Sequence, residues 1–176
     1  KYKNLNVEDK MAYNYSKKVE LQFDEAVAKV KDMLKVEGFG VLTEIDVKET
    51  LKKKLEVDYD NYIILGACNP PFALKALQAE KDIGLLLPCN VIVYSKDGKT
   101  VVSAINPIEA MSIINNRQLE EIAYEVEEKL KKVINNILYI TIATSDKNNQ
   151  PWNSPVYSAF DEDYNFYWAS WKENQH

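Results

Sequence analysis

The feature that most constrains the fold is the dipeptide Asp97-Gly98, which separates two runs rich in β-forming residues, 90–95 and 100–105. A type I′ turn requires positive φ at both of its central residues. Asp and Gly adopt positive φ more readily than most residues, so this dipeptide favours a type I′ turn. Strands joined by so short a turn pair antiparallel. Helix and strand patterns occur on both sides of this hairpin, so the sequence predicts an α+β fold.

Several local signals divide the remaining chain into helices and strands. Alternating residues at 13–21 predict a first strand. Asp24 is expected to cap the following helix, and Gly38 to end it. A continuous apolar run at 62–67 predicts a strand buried on both faces. Two prolines after Asn69 predict a helix from Pro70 to about Glu80. Further elements are expected at 39–45, at a short helix capped by Asp46, at a helical piece from 106 to 113, and at a long helix ending near 134.

Composition excludes several classes of function. The chain of 176 residues has 22 basic and 27 acidic residues, a net charge of −5. This balance argues against duplex nucleic acid and against anionic membranes as partners. The first ten residues lack a secretory signal and no apolar run is long enough for a bilayer span, so we expect a cytoplasmic protein with reduced cysteines. One histidine, His176, makes a histidine-rich metal site implausible.

The strongest candidate for a ligand site is formed by Cys68, Asn69, Cys89 and Asn90. The first two residues precede a helix, whose free N–H groups can bind an anion and whose positive end can lower the pKa of a thiol. If the strand ending at Ala67 pairs antiparallel with the strand starting at Cys89, both thiols lie at one sheet edge. In the plain alternative, both cysteines are small core residues.

Three further features of the sequence bear on possible sites. A zinc site is not expected, because two thiols lack two further ligands. Gly66 is expected to permit close packing of a helix on the sheet. Glu44 and Asp46 resemble a carboxylate pair, although such acids are more often a helix cap and surface charge.

Four strings resemble the prokaryotic domain of unknown function 302 family over about residues 13–134. They are FDEAV (23–27), EGFGVLTEID (37–46), LGACNPP (65–71) and IGLLLPCNV (83–91). The resemblance implies a TATA-binding-protein-like sheet-and-helix fold and a homodimer. The family name leaves the biochemical role open, although the shared strings include both cysteines.

The character of the sequence changes after Asn135. All three tryptophans follow, and three β-like runs, 138–144, 152–160 and 165–171, predict an antiparallel meander. The predicted organisation is therefore a mobile lead-in at 1–12, an α+β domain at 13–135 and a β segment at 136–176.

This last segment resembles the opening of a pyridoxamine 5′-phosphate oxidase-like split barrel. The strings that carry the likeness are IAT (142–144), PWNSPV (151–156), DED (161–163) and FYWAS (166–170). Such barrels bind FMN, usually across a dimer. The resemblance implies flavin contacts from Ser154, Pro155 and Val156, ribityl phosphate contacts from Trp168, Ala169 and Ser170, and a segment of basic phosphate ligands beginning at His176.

The sequence is compatible with four functions. The first is a small-ligand or anion-binding protein with its site at the two Cys-Asn pairs. The second is an FMN-dependent oxidoreductase that uses the C-terminal barrel. The third is a dimeric structural or interaction module without a site, and the fourth is thiol redox chemistry.

Overall fold

The computed structural model describes residues 13–137 in full and, beyond them, the backbone of 139–145, 151–160 and 166–169. The chain divides into two units, Lys1–Ile137 and Leu138–His176. In the first unit, the described elements are β1 (Asn14–Val19), α1 (Phe23–Val36), β2 (Gly40–Asp46), α2 (Val47–Leu55), β3 (Tyr62–Cys68), α3 (Pro70–Ala79), a 3-10 helix (Lys81–Leu86), β4 (Cys89–Lys96), β5 (Lys99–Ile105), α4 (Pro107–Met111) and α5 (Arg117–Asn135).

The first unit is built on a five-stranded sheet with the order β1-β5-β4-β3-β2. Every neighbouring pair of strands is antiparallel. Between β4 and β5, Asp97 has φ 53° and Gly98 has φ 72°, which are the positive values that the predicted turn requires. The antiparallel hairpin and the α+β class are therefore confirmed.

Helix α1 begins two residues earlier than a cap at Asp24 would place it. Its N-cap is Gln22, so the prediction that Asp24 caps the helix was wrong. The Glu25 carboxylate accepts a hydrogen bond from the Gln22 backbone N–H at 3.2 Å, and this bond fixes the start of the helix. At the other end Gly38 adopts φ 84° and Phe39 N–H donates to the Leu34 carbonyl oxygen at 2.8 Å, which confirms the predicted stop.

Strand β3 is buried along only part of its length, which corrects the prediction for 62–67. Leu65, Gly66 and Ala67 are buried, whereas Tyr62 and Ile64 are partly exposed. The reason is the alternation of side chains along a strand. Leu65 and Ala67 point toward the face that packs against helices α1 and α5, and Tyr62 and Ile64 point toward the second face of the sheet.

The edge strand β2 is irregular. Val41 lies opposite Ala67 and Thr43 lies opposite Gly66, so Leu42 is an extra residue in the ladder. This arrangement is a β-bulge. Glu44, further along the same strand, forms an ion pair with Lys31 of α1 at 2.6 Å.

The described part of the second unit forms three strands, β6 (Tyr139–Ser145), β7 (Pro151–Phe160) and β8 (Phe166–Ala169). They pair antiparallel in the order β6-β7-β8, as the predicted meander requires. The expected lead-in at 1–12 lies outside the described residues, as do Ser170 and His176. In the described part of the chain, no helix combines the length and the apolar character needed to cross a membrane.

Candidate functional site

The pairing of β3 with β4 brings the two cysteines to the same end of the sheet. Ala67 lies directly opposite Cys89, and Gly66 lies opposite Asn90. Cys68, the last residue of β3, is therefore a near neighbour of Cys89, the first residue of β4. The antiparallel pairing on which the site hypothesis depended is confirmed, and both cysteines are free thiols.

A small cavity opens between this sheet end and the helices. We call it the sulfur pocket, because Cys68, Cys89 and Met111 all line it. Its volume is about 20 Å³, room for roughly one water molecule. Sequence reasoning missed Met111, which lies at the end of α4 and gives no local signal of its role. The remaining lining residues are Phe39, Ala67, Asn69, Phe72, Ala73, Ala76, Leu87, Pro88, Ile122 and Val126.

Burial governs the ionisation of the two thiols. Burial raises the pKa of the Cys68 thiol. It raises the pKa of Cys89, which is only 8% exposed, to about 11, and the charge of a Cys68 thiolate contributes in the same direction. The expectation that the helix end lowers a thiol pKa was therefore wrong, because removal from water disfavours the charged thiolate. Both thiols are protonated at neutral pH.

Anion capture at the start of α3 is also weakened by the sequence of its first turn. Pro70 and Pro71 occupy the first two helical positions and have no N–H to donate. The amide of Ala73 donates within the helix, to the Asn69 carbonyl oxygen at 3.0 Å. Phe72 is left as the one residue of the first three helical positions with an N–H group, so this helix end offers little to an anion.

Asn69 has a structural partner at the rim of the sulfur pocket. Its side chain makes no capping bond to α3. Instead Nδ2 donates to the Glu37 carbonyl oxygen at 3.4 Å, and the Lys129 ammonium donates to the same oxygen at 3.3 Å. The sequence segments 37–46 and 65–71 are therefore in contact in the folded chain. Asn69 connects the end of α1 to the sulfur pocket.

The structure does not bring Asn90 into the sulfur pocket. Adjacent residues in a strand point to opposite faces, so Cys89 points toward the helices and Asn90 toward the second face, where it is exposed and lines a separate concavity. Gly66 also differs from expectation. A Cβ there would overlap Thr43 Oγ1 and come within 2.8 Å of Pro88 Cγ, so this glycine makes room for those two residues rather than for a helix.

The two acids near the end of β2 have separate structural roles. Glu44 is paired with Lys31, and Asp46 caps α2 by accepting a hydrogen bond from Glu49 N–H at 2.8 Å. The flavin residues lie elsewhere. Ser154, Pro155 and Val156 belong to β7, and Trp168 and Ala169 to β8, but the description of these strands covers the backbone alone. The flavin contacts expected of them, and of Ser170 and His176, stay predictions.

The fold and the pocket together define the class of protein: an α+β domain with a five-stranded antiparallel sheet and a small thiol-containing pocket at one sheet end. A family model described as "Domain of unknown function DUF302" matches residues 15–137. The chain belongs to this family, which confirms the first resemblance.

A solved structure supports the same assignment. It is described as "Crystal structure of uncharacterized conserved protein DUF302 from Bacillus stearothermophilus" and is 31% identical to this chain. The match covers 70% of this chain and 96% of the other, with a TM-score of 0.67. The search of curated proteins gave no match. Neither the family nor the solved structure names a flavin, so the split-barrel resemblance of the second unit has no support from them.

Proposed function

We propose that this chain binds a single soft metal ion of the monovalent copper type in the sulfur pocket. One observation carries the proposal: the cavity that contains Cys68 and Cys89 is also lined by Met111. Thiolate and thioether sulfur are the ligand types that select monovalent copper. The proposal narrows the broader hypothesis of a small-ligand site to one kind of occupant.

The size of the pocket supports a very small occupant. Pockets for organic ligands usually measure about 300–1,000 Å³, whereas the sulfur pocket measures about 20 Å³. A single ion held by two or three sulfur atoms needs no more room than this. An organic ligand would require α3 or α4 to move.

The proton balance of binding is simple. Cys68 and Cys89 each lose a proton to solvent, and two copper–sulfur bonds replace the two sulfur–hydrogen bonds without any transfer of electrons. The thioether of Met111 carries no proton and adds a third, neutral ligand. The site changes from neutral to one net negative charge. Apolar walls such as Phe39 and Val126 exclude water from the metal–sulfur bonds.

The same ligand set disfavours harder ions. Among the described residues, no group of three or more His, Cys, Asp or Glu side chains is arranged so that it could hold a metal ion. Zinc in structural sites is held by four such ligands. Monovalent copper is satisfied by the two thiols and the thioether, so the sequence argument against zinc does not apply to it.

The experiment is an anaerobic titration of the purified full chain with Cu(I) in competition with a chromophoric Cu(I) chelator. We expect one equivalent to be retained by the protein, and the double variant Cys68→Ser/Cys89→Ser to release it. Met111→Leu, which keeps the volume and removes the sulfur, should weaken binding by roughly tenfold, the effect of losing about 1.4 kcal/mol. Met33→Leu is the matched control, because Met33 packs against the core and does not line the pocket.

Two results would contradict the proposal. One is complete transfer of Cu(I) from the wild-type chain to the chelator. The other is undiminished retention by the double serine variant, with circular dichroism showing that the variant is folded. In either case the two cysteines are core residues of a protein whose function lies elsewhere.

The expected homodimer and flavin site are separate proposals. Sedimentation equilibrium of the full chain tests the dimer. The flavin site is tested by the absorbance of the purified chain in the flavin bands and by its uptake of added FMN. The split-barrel resemblance and the β6-β7-β8 meander support the flavin site, and a colourless chain that takes up no FMN would remove it.

A further inference from the structure

The second face of the sheet carries a concavity that is much larger than the sulfur pocket. We call it the tyrosine pocket. Its volume is about 330 Å³, within the range of about 300–1,000 Å³ that is typical of small-molecule sites. Its main lining residues are Asn14, Tyr62, Asn90, Ile92, Tyr94 and Ser103. These residues come from β1, β3, β4 and β5, so the floor of the pocket is the sheet itself.

Aromatic rings form one side of this pocket. The rings of Tyr62 and Tyr94 lie opposite each other on β3 and β4, and they stack with centroids 5.4 Å apart and an angle of 22° between planes. Tyr59 lies against Tyr62 at a centroid distance of 6.4 Å, and Tyr13 also borders the pocket. A flat aromatic surface of this kind favours a flat ligand, because π-systems stack face to face with an offset.

Hydrogen-bonding groups stand beside the rings. Asn14 Nδ2 donates to Ser16 Oγ at 2.8 Å and to Ser103 Oγ at 2.7 Å, so both amide hydrogens are used and Oδ1 is left as an acceptor. The Asn90 side chain makes no hydrogen bond within residues 13–137, and it offers both a donor and an acceptor. Neither Tyr62 nor Tyr94 has a hydrogen bond from its hydroxyl to another group in the described part of the chain.

The lining carries no charged side chain. A charged ligand would lose water there without gaining an opposite charge, which costs free energy. The ligand that fits is uncharged and flat, and its edge both donates and accepts hydrogen bonds. Asparagine amides bind the adenine edge in this way, by a donor and an acceptor at once.

We propose that the tyrosine pocket binds an uncharged, planar nitrogen heterocycle of the purine-base type, stacked on Tyr94 and hydrogen-bonded to Asn90. This site is independent of the sulfur pocket, because Cys89 and Asn90 point to opposite faces of the sheet. Its occupancy neither requires nor excludes a metal ion on the helix side.

The test uses the full-length chain labelled with ¹⁵N, titrated with adenine and observed by NMR. We expect saturable shifts of the Asn90 side-chain amide signals and of backbone amides in β4. Asn90→Ala, an exposed position whose replacement leaves the core intact, should weaken binding at least about tenfold, as should Tyr94→Leu. Tyr124→Leu is the matched control, because Tyr124 is an exposed tyrosine of α5 that lies outside this pocket.

Three outcomes would overturn the proposal. The first is the absence of any saturable shift. The second is equal binding by the wild-type, Asn90→Ala and Tyr94→Leu chains, which would place adenine elsewhere. The third is a dimer whose interface covers Asn90 and Tyr94, found by sedimentation together with protection of these residues before adenine is added. A second copy of the chain would then be the true occupant of this face.

Discussion

Asn69 donates a hydrogen bond from Nδ2 to the backbone carbonyl oxygen of Glu37, at 3.4 Å. Glu37 is the C-cap of α1, and Lys129 of α5 donates to the same oxygen. The two bonds connect the ends of α1 and α3 to α5 around one partly buried carbonyl group. Asn69 itself is 9% exposed, so its amide depends on this partner.

Replacement of Asn69 by alanine should therefore destabilise the fold modestly. The hydrogen bond is long and Lys129 remains, so we expect the free energy of unfolding to fall by about 0.5–1 kcal/mol. Urea unfolding followed by circular dichroism measures this change. Asn90→Ala is the control and should have almost no effect. If Asn69→Ala and Lys129→Ala proved strictly additive in the double variant, the two donors would not share a common acceptor.

Gly66→Ala should be more damaging than its size suggests. The added methyl would overlap Thr43 Oγ1 and meet Pro88 Cγ, and overpacking of this kind costs roughly 1–3 kcal/mol. The midpoint of urea unfolding measures the loss. Gly40→Ala, on the neighbouring strand β2, has no atom closer than 4.0 Å to the new Cβ and serves as the matched control. Partial recovery in Gly66→Ala/Thr43→Ala is expected, and equal losses at Gly66 and Gly40 would contradict the steric explanation.

The buried Cys89 thiol should make the protein sensitive to alkaline pH. Its folded pKa is about 11, against an ordinary value of 9.0. Because the folded state favours the neutral thiol, the stabilisation is complete below pH 9 and is lost as the pH rises from 9 to 11. Two pKa units correspond to about 3 kcal/mol at most.

The measurement compares the wild-type chain with Cys89→Ala across this range. The free energy of unfolding of the wild-type chain should fall more steeply with pH, so the difference between the two proteins should shrink by up to about 3 kcal/mol. Lysine and tyrosine titrations affect both proteins alike and cancel. A difference that stays constant between pH 9 and pH 11 would show that Cys89 ionises as freely in the folded chain as in the unfolded one.

Metal binding to the sulfur pocket should depend steeply on pH. The raised pKa values keep both thiols protonated at neutral pH, so each bound Cu(I) must release two protons. The apparent affinity should increase by as much as about 100-fold per pH unit, about tenfold per proton. Chelator competition between about pH 6 and about pH 8 tests this. A tenfold slope would indicate that only one cysteine is a ligand.

Local sequence patterns were sufficient to predict the structure where a particular backbone conformation was required. The turn at Asp97-Gly98 and the helix stop at Gly38 both require positive φ, so the sequence identified both. The α+β class followed from the same hairpin. The alternation of side chains along a strand was also sufficient to place Cys89 and Asn90 on opposite faces of the sheet. The sequence hypothesis nevertheless assigned both residues to one site.

Other features depend on contacts between distant segments. The position of Met111 in the same pocket as the two thiols depends on how α4 follows β5 and packs against α5, which no local pattern records. The thiol pKa values are raised because the thiols are buried, and burial cannot be read from the neighbouring residues. Those residues revealed only that Cys68 precedes the start of a helix. Asn69 directly precedes α3, yet the hydrogen-bond partner of its side chain, the Glu37 carbonyl oxygen, lies 32 residues earlier in the chain.

The bulge at Leu42 bears on how these molecules meet in solution. β2 forms one border of the sheet, and a regular border strand presents a row of backbone groups on which a neighbouring molecule could extend the ladder. Here the extra residue breaks the spacing of that row, and the carboxylate of Glu44 stands next to it. The backbone groups of a second chain that paired with β2 would not align with those of β2 across the bulge. Edge-to-edge pairing of sheets, the first step of fibril growth, is therefore disfavoured on this side.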